Sequence, residues 1–288
     1  MTLTGSPLVL AGGFFLAALV GVAGWKLQAL TPGGALGATL IGGLVFGFGG
    51  PTWAMILITF FVASSLLSHL GDRHKARAIA AFEKAGPRDL LQTMANGGIA
   101  ALMALIVGIV GHHSRLYPYC TLAYLGSLAA ATADTWATEI GMLSNQRPRL
   151  ITSWRPVQTG LSGGVTLLGL LGSLGGGLFL GVSAFLFIQA ASLLTTGHWF
   201  LSDSFLLIIL PIAGLIGSLT DSILGATLQR LYYCDQCQTP TEQKIHACGH
   251  STRLIHGVAW MNNDSVNFLA ACAGAIIAIL AAQPFLSL

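Results

Sequence analysis

Charge is what this chain has least of. Of its 288 residues only 8% are Asp, Glu, Lys or Arg, against 54% hydrophobic. Soluble domains average about 25% charged residues, so a large soluble domain is excluded and a polytopic membrane protein is expected. No internal repeat and no low-complexity linker interrupts it. The first apolar stretch lacks a basic n-region, which favours a retained helix over a cleaved signal. No G-x-x-x-x-G-K-[ST] string occurs, so a Walker A site is excluded, and nothing points to a nucleic-acid partner.

What is there instead is about eight apolar segments long enough to span a bilayer. They fall near 7–25, 33–50, 51–70, 93–111, 118–143, 161–195, 203–231 and 258–283. This is an all-α polytopic fold with seven to nine helices, a single membrane domain over 1–288 with one small insert at 233–250. The segment 161–195 looks too long and too glycine-rich for one simple helix, and a break there would raise the count to nine. Lys and Arg crowd into 73–88, 147–155 and 230–253. If 161–195 crosses once, all three basic loops and Lys26 share one face, which the positive-inside rule makes cytoplasmic or its equivalent. Gly214, Ser218, Ser222 and Gly225 form a small-residue stripe of the kind that lets helices approach closely.

Four acids lie inside apolar stretches: Asp134, Glu139, Asp221 and Asp264. A carboxylate at mid-membrane depth costs about 2.5–3.5 kcal/mol on insertion scales, so four of them imply a polar interior with partners. Gln92, Asn96, Asn262, Asn263 and Asn267 accompany them. Asn263 and Asn267 share a helical face and Asp264 pairs with Asn267 at i, i+3. Asp134 and Glu139 stand about 140° apart round an ideal helix. Hard oxygen ligands without thiolates suit Mg²⁺, usually held by one or two carboxylates plus substrate phosphate. A proton- or sodium-coupled transporter also buries acids with Asn and Thr. The bland alternative is that each acid merely satisfies a neighbouring donor.

The insert YCDQCQTPTEQKIHACGH offers Cys234, Cys237, His246, Cys248 and His250 as ligands. A C-x-x-C turn followed by H-x-C suits a structural zinc, with His246 the fourth ligand and His250 the alternative. No thioredoxin-like βαβ pattern supports a redox reading. A disulfide would need an oxidising face, against which the basic flanks argue. Cys120 and Cys272 read as packing residues.

The loop before the sixth segment supplies Arg147, Arg149 and Arg155, then Ser162, Gly163 and Gly164. Ser162 reads as a helix N-cap, where backbone N–H groups could face an anion.

Taken in order, PGGALGA, QTMANGG, ATADTWATEIG, PRLITSWRPVQTGLSGGV, GSLTDSILGA, the Cys/His insert and WMNNDSVN resemble a known family over nearly the whole chain. It is the transmembrane protein 19-like integral membrane family that includes the phytyl-phosphate kinases of tocopherol and phylloquinone biosynthesis. That family is itself distantly similar to CTP-dependent polyprenol kinases and phosphatidate cytidylyltransferases. The resemblance implies phosphoryl transfer from a nucleoside triphosphate to phytyl phosphate, giving phytyl diphosphate. On that reading Asp134, Asp221 and Asp264 hold Mg²⁺, and Glu139 is a further ligand or base. Arg73, Lys75, Arg147, Arg149 and Arg155 neutralise the triphosphate. Ser162, Gly163 and Gly164 cradle phosphate, while Gln92, Asn96, Asn262, Asn263 and Asn267 orient phosphates or metal-bound water. The implied home is a bacterial inner membrane or a plastid membrane, with the bilayer, a prenyl phosphate and a nucleotide as partners. Homo-oligomerisation stays open, and a transporter of ions or lipid phosphates is the alternative function.

Overall fold

The computed structural model describes residues 5–69 and 86–286. Eight α-helices are found there: α1 Pro7–Lys26, α2 Pro32–Leu44, α3 Gly50–His69, α4 Leu90–Val110, α5 Tyr117–Gly141, α6 Leu167–Thr196, α7 Leu206–Thr227 and α8 Asn263–Leu286. A π-helical turn, Val45–Gly49, extends α2. The helical run from Pro32 to Ser68 counts 37 residues. At 1.5 Å per residue that is about 55 Å, nearly twice the hydrocarbon core. It divides at Gly50, whose φ of +83° ends the first helix just before Pro51.

Helix α5 is central. It is absent from the runs that are long and apolar enough to cross a membrane alone, because it carries Asp134, Glu139 and four threonines. An unbroken block of it, Leu122–Ala133, is buried, and α4, α6, α7 and α8 all pack against it. The most polar helix is therefore kept from lipid by apolar ones. Small residues make this crowding feasible: a Cβ on Gly126 would collide with the Gly274 carbonyl of α8. Tyr124 stacks on Trp53 of α3 and donates its hydroxyl to the Trp53 carbonyl.

Segment 161–195 holds one helix, which starts only at Leu167, and its expected break is corrected. Helix α6 runs unbroken for 30 residues. Its glycines serve contact: a Cβ at Gly172 would lie 2.8 Å from the Trp136 carbonyl, and one at Gly177 would lie 2.7 Å from Pro211 Cα. The backbone of α6 approaches α5 and α7 through these glycines, and lipid-phase packing rewards that closeness. Ser162 is likewise not the N-cap. Thr166 is, its Oγ accepting from Gly169 N at 3.0 Å.

With α6 crossing once, Arg88 and the basic segments 147–155 and 230–253 meet at one end. The Arg88 carbonyl accepts from Thr31 N (3.0 Å) and its N–H donates to Ala29 O (3.0 Å), tying the entry of α4 to that of α2. A Cβ at Gly34 would collide with that same Arg88 carbonyl, which explains a glycine in PGGALGA. The segment 147–166 follows α5 at this end and forms a short hairpin of β1 (Arg149–Leu150) and β2 (Gly164–Val165). The insert after α7 is a three-stranded antiparallel sheet, β3 Leu231–Cys234, β4 Thr239–Thr241 and β5 Arg253–His256, in the order β4-β3-β5. Arg115 stands at the opposite end, where His112 Nε2 meets the Phe48 carbonyl at 2.8 Å.

Candidate functional site

At the basic end the helices enclose a cavity of about 600 Å³. Helix α5 contributes Asp134, Thr135, Thr138 and Glu139, and α7 contributes Ser218, Asp221 and Ser222. Gln92 and Asn96 enter from the first turns of α4, Asn263 and Asn267 from those of α8, and Thr166 and Gly169 from that of α6. The glycine half of the hairpin, Gly160 to Gly164, covers one side, and Arg88 and Glu242 complete the wall. Among the described residues, three helix N-termini therefore open on one cavity with four carboxylates and one guanidinium. The N-termini favour anions and the carboxylates favour cations.

The individual contacts show how each group is held. Ser218 Oγ donates to Asp134 Oδ1 at 3.5 Å. The small-residue stripe of α7 is thus split in purpose: Gly214 packs against the Ala129 carbonyl, while Ser218 and Ser222 face the cavity. Gln92 belongs to a capping box, accepting from Asp89 N at 3.2 Å while Asp89 accepts from Gln92 N at 2.9 Å. Asn96 Nδ2 donates to the Gln92 carbonyl (3.0 Å). Asn267 Oδ1 is buried without a hydrogen-bond partner among the described residues, a cost of about 1–3 kcal/mol that a bound donor or cation would relieve. Burial pushes the Arg88 pKa down, and the nearby Glu139 charge pulls it back up. An arginine guanidinium keeps its charge in a protein even so.

Several expected site residues lie elsewhere. Asp264 sits in the first turn of α8, where the helix dipole favours an acid, and does not line the cavity although its neighbours Asn263 and Asn267 do. Asn262 caps that helix, accepting from Ser265 N (2.9 Å) and Ser265 Oγ (2.8 Å). Arg147, Arg149 and Arg155 are exposed and outside the cavity wall. Arg149 Nη1 donates to the Trp154 carbonyl of its own hairpin at 2.9 Å. Arg73 and Lys75 lie outside the described residues. The wall residues that sequence reasoning missed are Arg88, hidden in a basic run that reads as a topology signal, and Glu242, an acid in the soluble insert. Glu242 is 2% exposed.

The second cluster is in the insert. Cys234, Cys237, His246 and Cys248 bring their ligand atoms within 4.8 Å of one another. Cys234 and Cys248 sulfurs stand 3.6 Å apart, close to the roughly 3.8 Å edge of a tetrahedron with 2.3 Å metal–sulfur bonds. His246 Nδ1 lies 3.1 Å from Cys248 Sγ. The His246 contact, then backbone bonding at His250, holds the Cys248 thiol down to about 5. Hydrogen bonding to Cys248 pushes Cys237 up to about 11. His250 contributes its backbone, its carbonyl accepting from His246 N at 2.9 Å, and its side chain also hydrogen-bonds Cys248. Three thiolates and one imidazole could hold a tetrahedral ion such as zinc. Among the described residues no other group of three or more His, Cys, Asp or Glu converges this tightly. Of the expected Asp134, Asp221 and Asp264, the first two line the cavity and the third does not.

The sequence model of the integral membrane protein family DUF92 matches residues 15–275. Protein PGR of Arabidopsis thaliana is 31% identical over 264 residues, covering 88% of this chain and 90% of PGR. An uncharacterized membrane protein of Methanocaldococcus jannaschii is 28% identical, over 88% of this chain and 87% of its own length. Protein VTE6, chloroplastic, of Arabidopsis thaliana is 25% identical, over 88% of this chain and 66% of VTE6. No solved structure matches the chain.

Proposed function

The chain belongs to the DUF92 family of integral membrane proteins, and from that premise we propose that it is a prenyl-phosphate kinase. It would transfer a phosphoryl group from a nucleoside triphosphate, CTP-like, to phytyl phosphate or a close relative. The observation that carries the proposal is the cavity's mixed polarity. Asp134, Glu139, Asp221 and Glu242 share its wall with Arg88 and three helix N-termini. A bare triphosphate would be repelled by four carboxylates, and a bare cation would leave the helix N-termini unused. A metal-bound phosphate suits both. The sequence resemblance to phytyl-phosphate kinases and the 25% identity to chloroplastic VTE6 support prenyl-lipid metabolism as the setting.

The residues divide the work. Asp134 and Asp221 would hold Mg²⁺, with Glu139 within reach of the same space. The carbonyl oxygen of Asn267, buried without a partner, fits as a further hard ligand or as acceptor for metal-bound water. Bound there, Mg²⁺ would neutralise the phosphate oxygens and the charge that develops on the leaving diphosphate. Arg88 would clamp a phosphate oxygen, and the N–H groups that open α6 at Thr166 would supply dipole stabilisation. An oxygen of the lipid phosphate attacks the terminal phosphorus, and the bond to the nucleoside diphosphate breaks. A phosphate monoester is already nucleophilic near neutral pH, so positioning outweighs base catalysis. The prenyl tail would lie on apolar helix surface towards the bilayer. In the insert, Cys234, Cys237, His246 and Cys248 would hold one structural zinc.

The test uses purified protein, each of CTP, GTP, UTP and ATP labelled at the terminal phosphate, and a panel of prenyl phosphates. Mg²⁺-dependent label in a lipid diphosphate supports the reading. Ion-coupled uptake into liposomes with no labelled lipid would favour a transporter.

A further inference from the structure

The insert reaches into the cavity through Glu242, one residue beyond β4. Thr241 and Glu242 are both nearly fully buried although Cys237 of the same insert is exposed. Glu242 Oε1 accepts from Ser162 Oγ at 2.6 Å, and Ser162 Oγ accepts from Gln229 Nε2 at 3.0 Å. Gln229 is itself 2% exposed. The Ser162 hydroxyl thus has both donor and acceptor used, and it sits in the Thr159–Gly164 stretch that lines the cavity. That stretch is otherwise held by few backbone bonds, among them Ile151 N to Gly163 O at 3.0 Å and Gly164 N to Leu161 O at 3.1 Å. β4 pairs with β3, whose last residue is the ligand Cys234.

We propose that the Cys/His knuckle supports one wall of the cavity from behind and that Glu242 is the positioning residue joining the two. A metal ion closing the knuckle would fix β3 and β4, place the Glu242 carboxylate, and through Ser162 set the hairpin against the cavity. Buried charge-assisted hydrogen bonds are strong enough for this role, and leaving one partner unpaired is costly. The proposal rests on the cavity being the site, yet its test needs no substrate.

Hydrogen–deuterium exchange on the full chain in detergent or nanodiscs reads the hairpin directly. Glu242→Ala and Ser162→Ala should each speed exchange of peptides spanning 158–165 by about tenfold or more, with bound metal unchanged. Glu242→Gln keeps an oxygen for the Ser162 hydroxyl and should restore most of the protection. Cys237→Ser, remote from the cavity wall, should loosen the same peptides. Native exchange in Glu242→Ala overturns the proposal. So does a hairpin that responds to Glu242→Ala but ignores Cys237→Ser, because the knuckle is then not coupled. Equal loosening in the Gln and Ala variants overturns the hydrogen-bond route. Failure of the kinase reading would instead leave these exchange rates as stated and show only as absent lipid product.

Discussion

Two ligand clusters lie at the same end of this protein and are built on opposite plans. In the knuckle, three sulfurs and one imidazole nitrogen lie within 4.8 Å of one another, so the protein alone can fill a tetrahedral shell. In the cavity, four carboxylates surround about 600 Å³ without converging on a point. A closed shell of soft ligands suits a structural ion, whereas dispersed hard ligands leave coordination positions for water and substrate. The difference separates stability from chemistry, and substitutions in the two places should separate in the same way.

The largest effect is expected in the cavity. Asp134→Asn or Asp221→Asn should lower phosphoryl transfer by about a thousandfold or more, because metal and phosphate charge lose their compensation. Zinc content and melting temperature should stay near wild type. A variant that loses zinc as well would erase the distinction between the two clusters. Next comes the knuckle. Cys234→Ser with Cys237→Ser should remove about one zinc per chain and lower the melting temperature, since closing such a site contributes folding free energy. Metal analysis and a thermal melt in detergent check it, and a metal-free wild type would overturn it.

Arg88→Ala should act more mildly, raising the nucleotide KM by about ten- to a hundredfold, the worth of one charge-assisted hydrogen bond. Arg155→Ala is the contrast. Its side chain is exposed and outside the cavity wall, so its effect should stay within about threefold and fade with salt. Steady-state kinetics with each substrate varied separately compares them. Reversal of that order would move the nucleotide from the cavity to the outer hairpin.

The spans and the knuckle were legible because each rests on local pattern. Apolar runs mark the helices, and Cys234, Cys237, His246 and Cys248 lie close in sequence. The cavity was legible only where a charge stands out against apolar neighbours, as Asp134, Glu139 and Asp221 do. Arg88 looked like one more topology charge, and only the Thr31 and Ala29 backbone bonds reveal that it is clamped beside the cavity. Glu242 meets Ser162 across 80 residues, a pairing no local pattern encodes. Ser162 resembles an N-cap in sequence, but the β1–β2 hairpin delays the start of α6 to Thr166. A small-residue stripe signals packing, yet whether Ser218 meets a backbone or a cavity depends on how far α5 and α7 diverge at the basic end.

A small effect is also expected at Asp264, and it bears most directly on what makes a membrane acid catalytic. By rarity and setting Asp264 equals Asp134 and Asp221, for all three stand in apolar segments. By position it differs. Asn263 and Asn267 share the face of α8 that lines the cavity, and Asp264 stands about 100° round the helix from the first and about 60° from the second. Asp264 stands in the first turn, where an acid steadies a helix by about 0.3–1 kcal/mol. Asp264→Asn should therefore cost less than about fivefold in phosphoryl transfer, on the scale of 1.4 kcal/mol per tenfold, with a slightly lower melting temperature. Asn267→Ala, removing a cavity oxygen, should cost more. Parallel assays of the two variants decide the matter. A loss at Asp264 as deep as at Asp134 would mean that α8 turns on binding to bring the acid into the cavity.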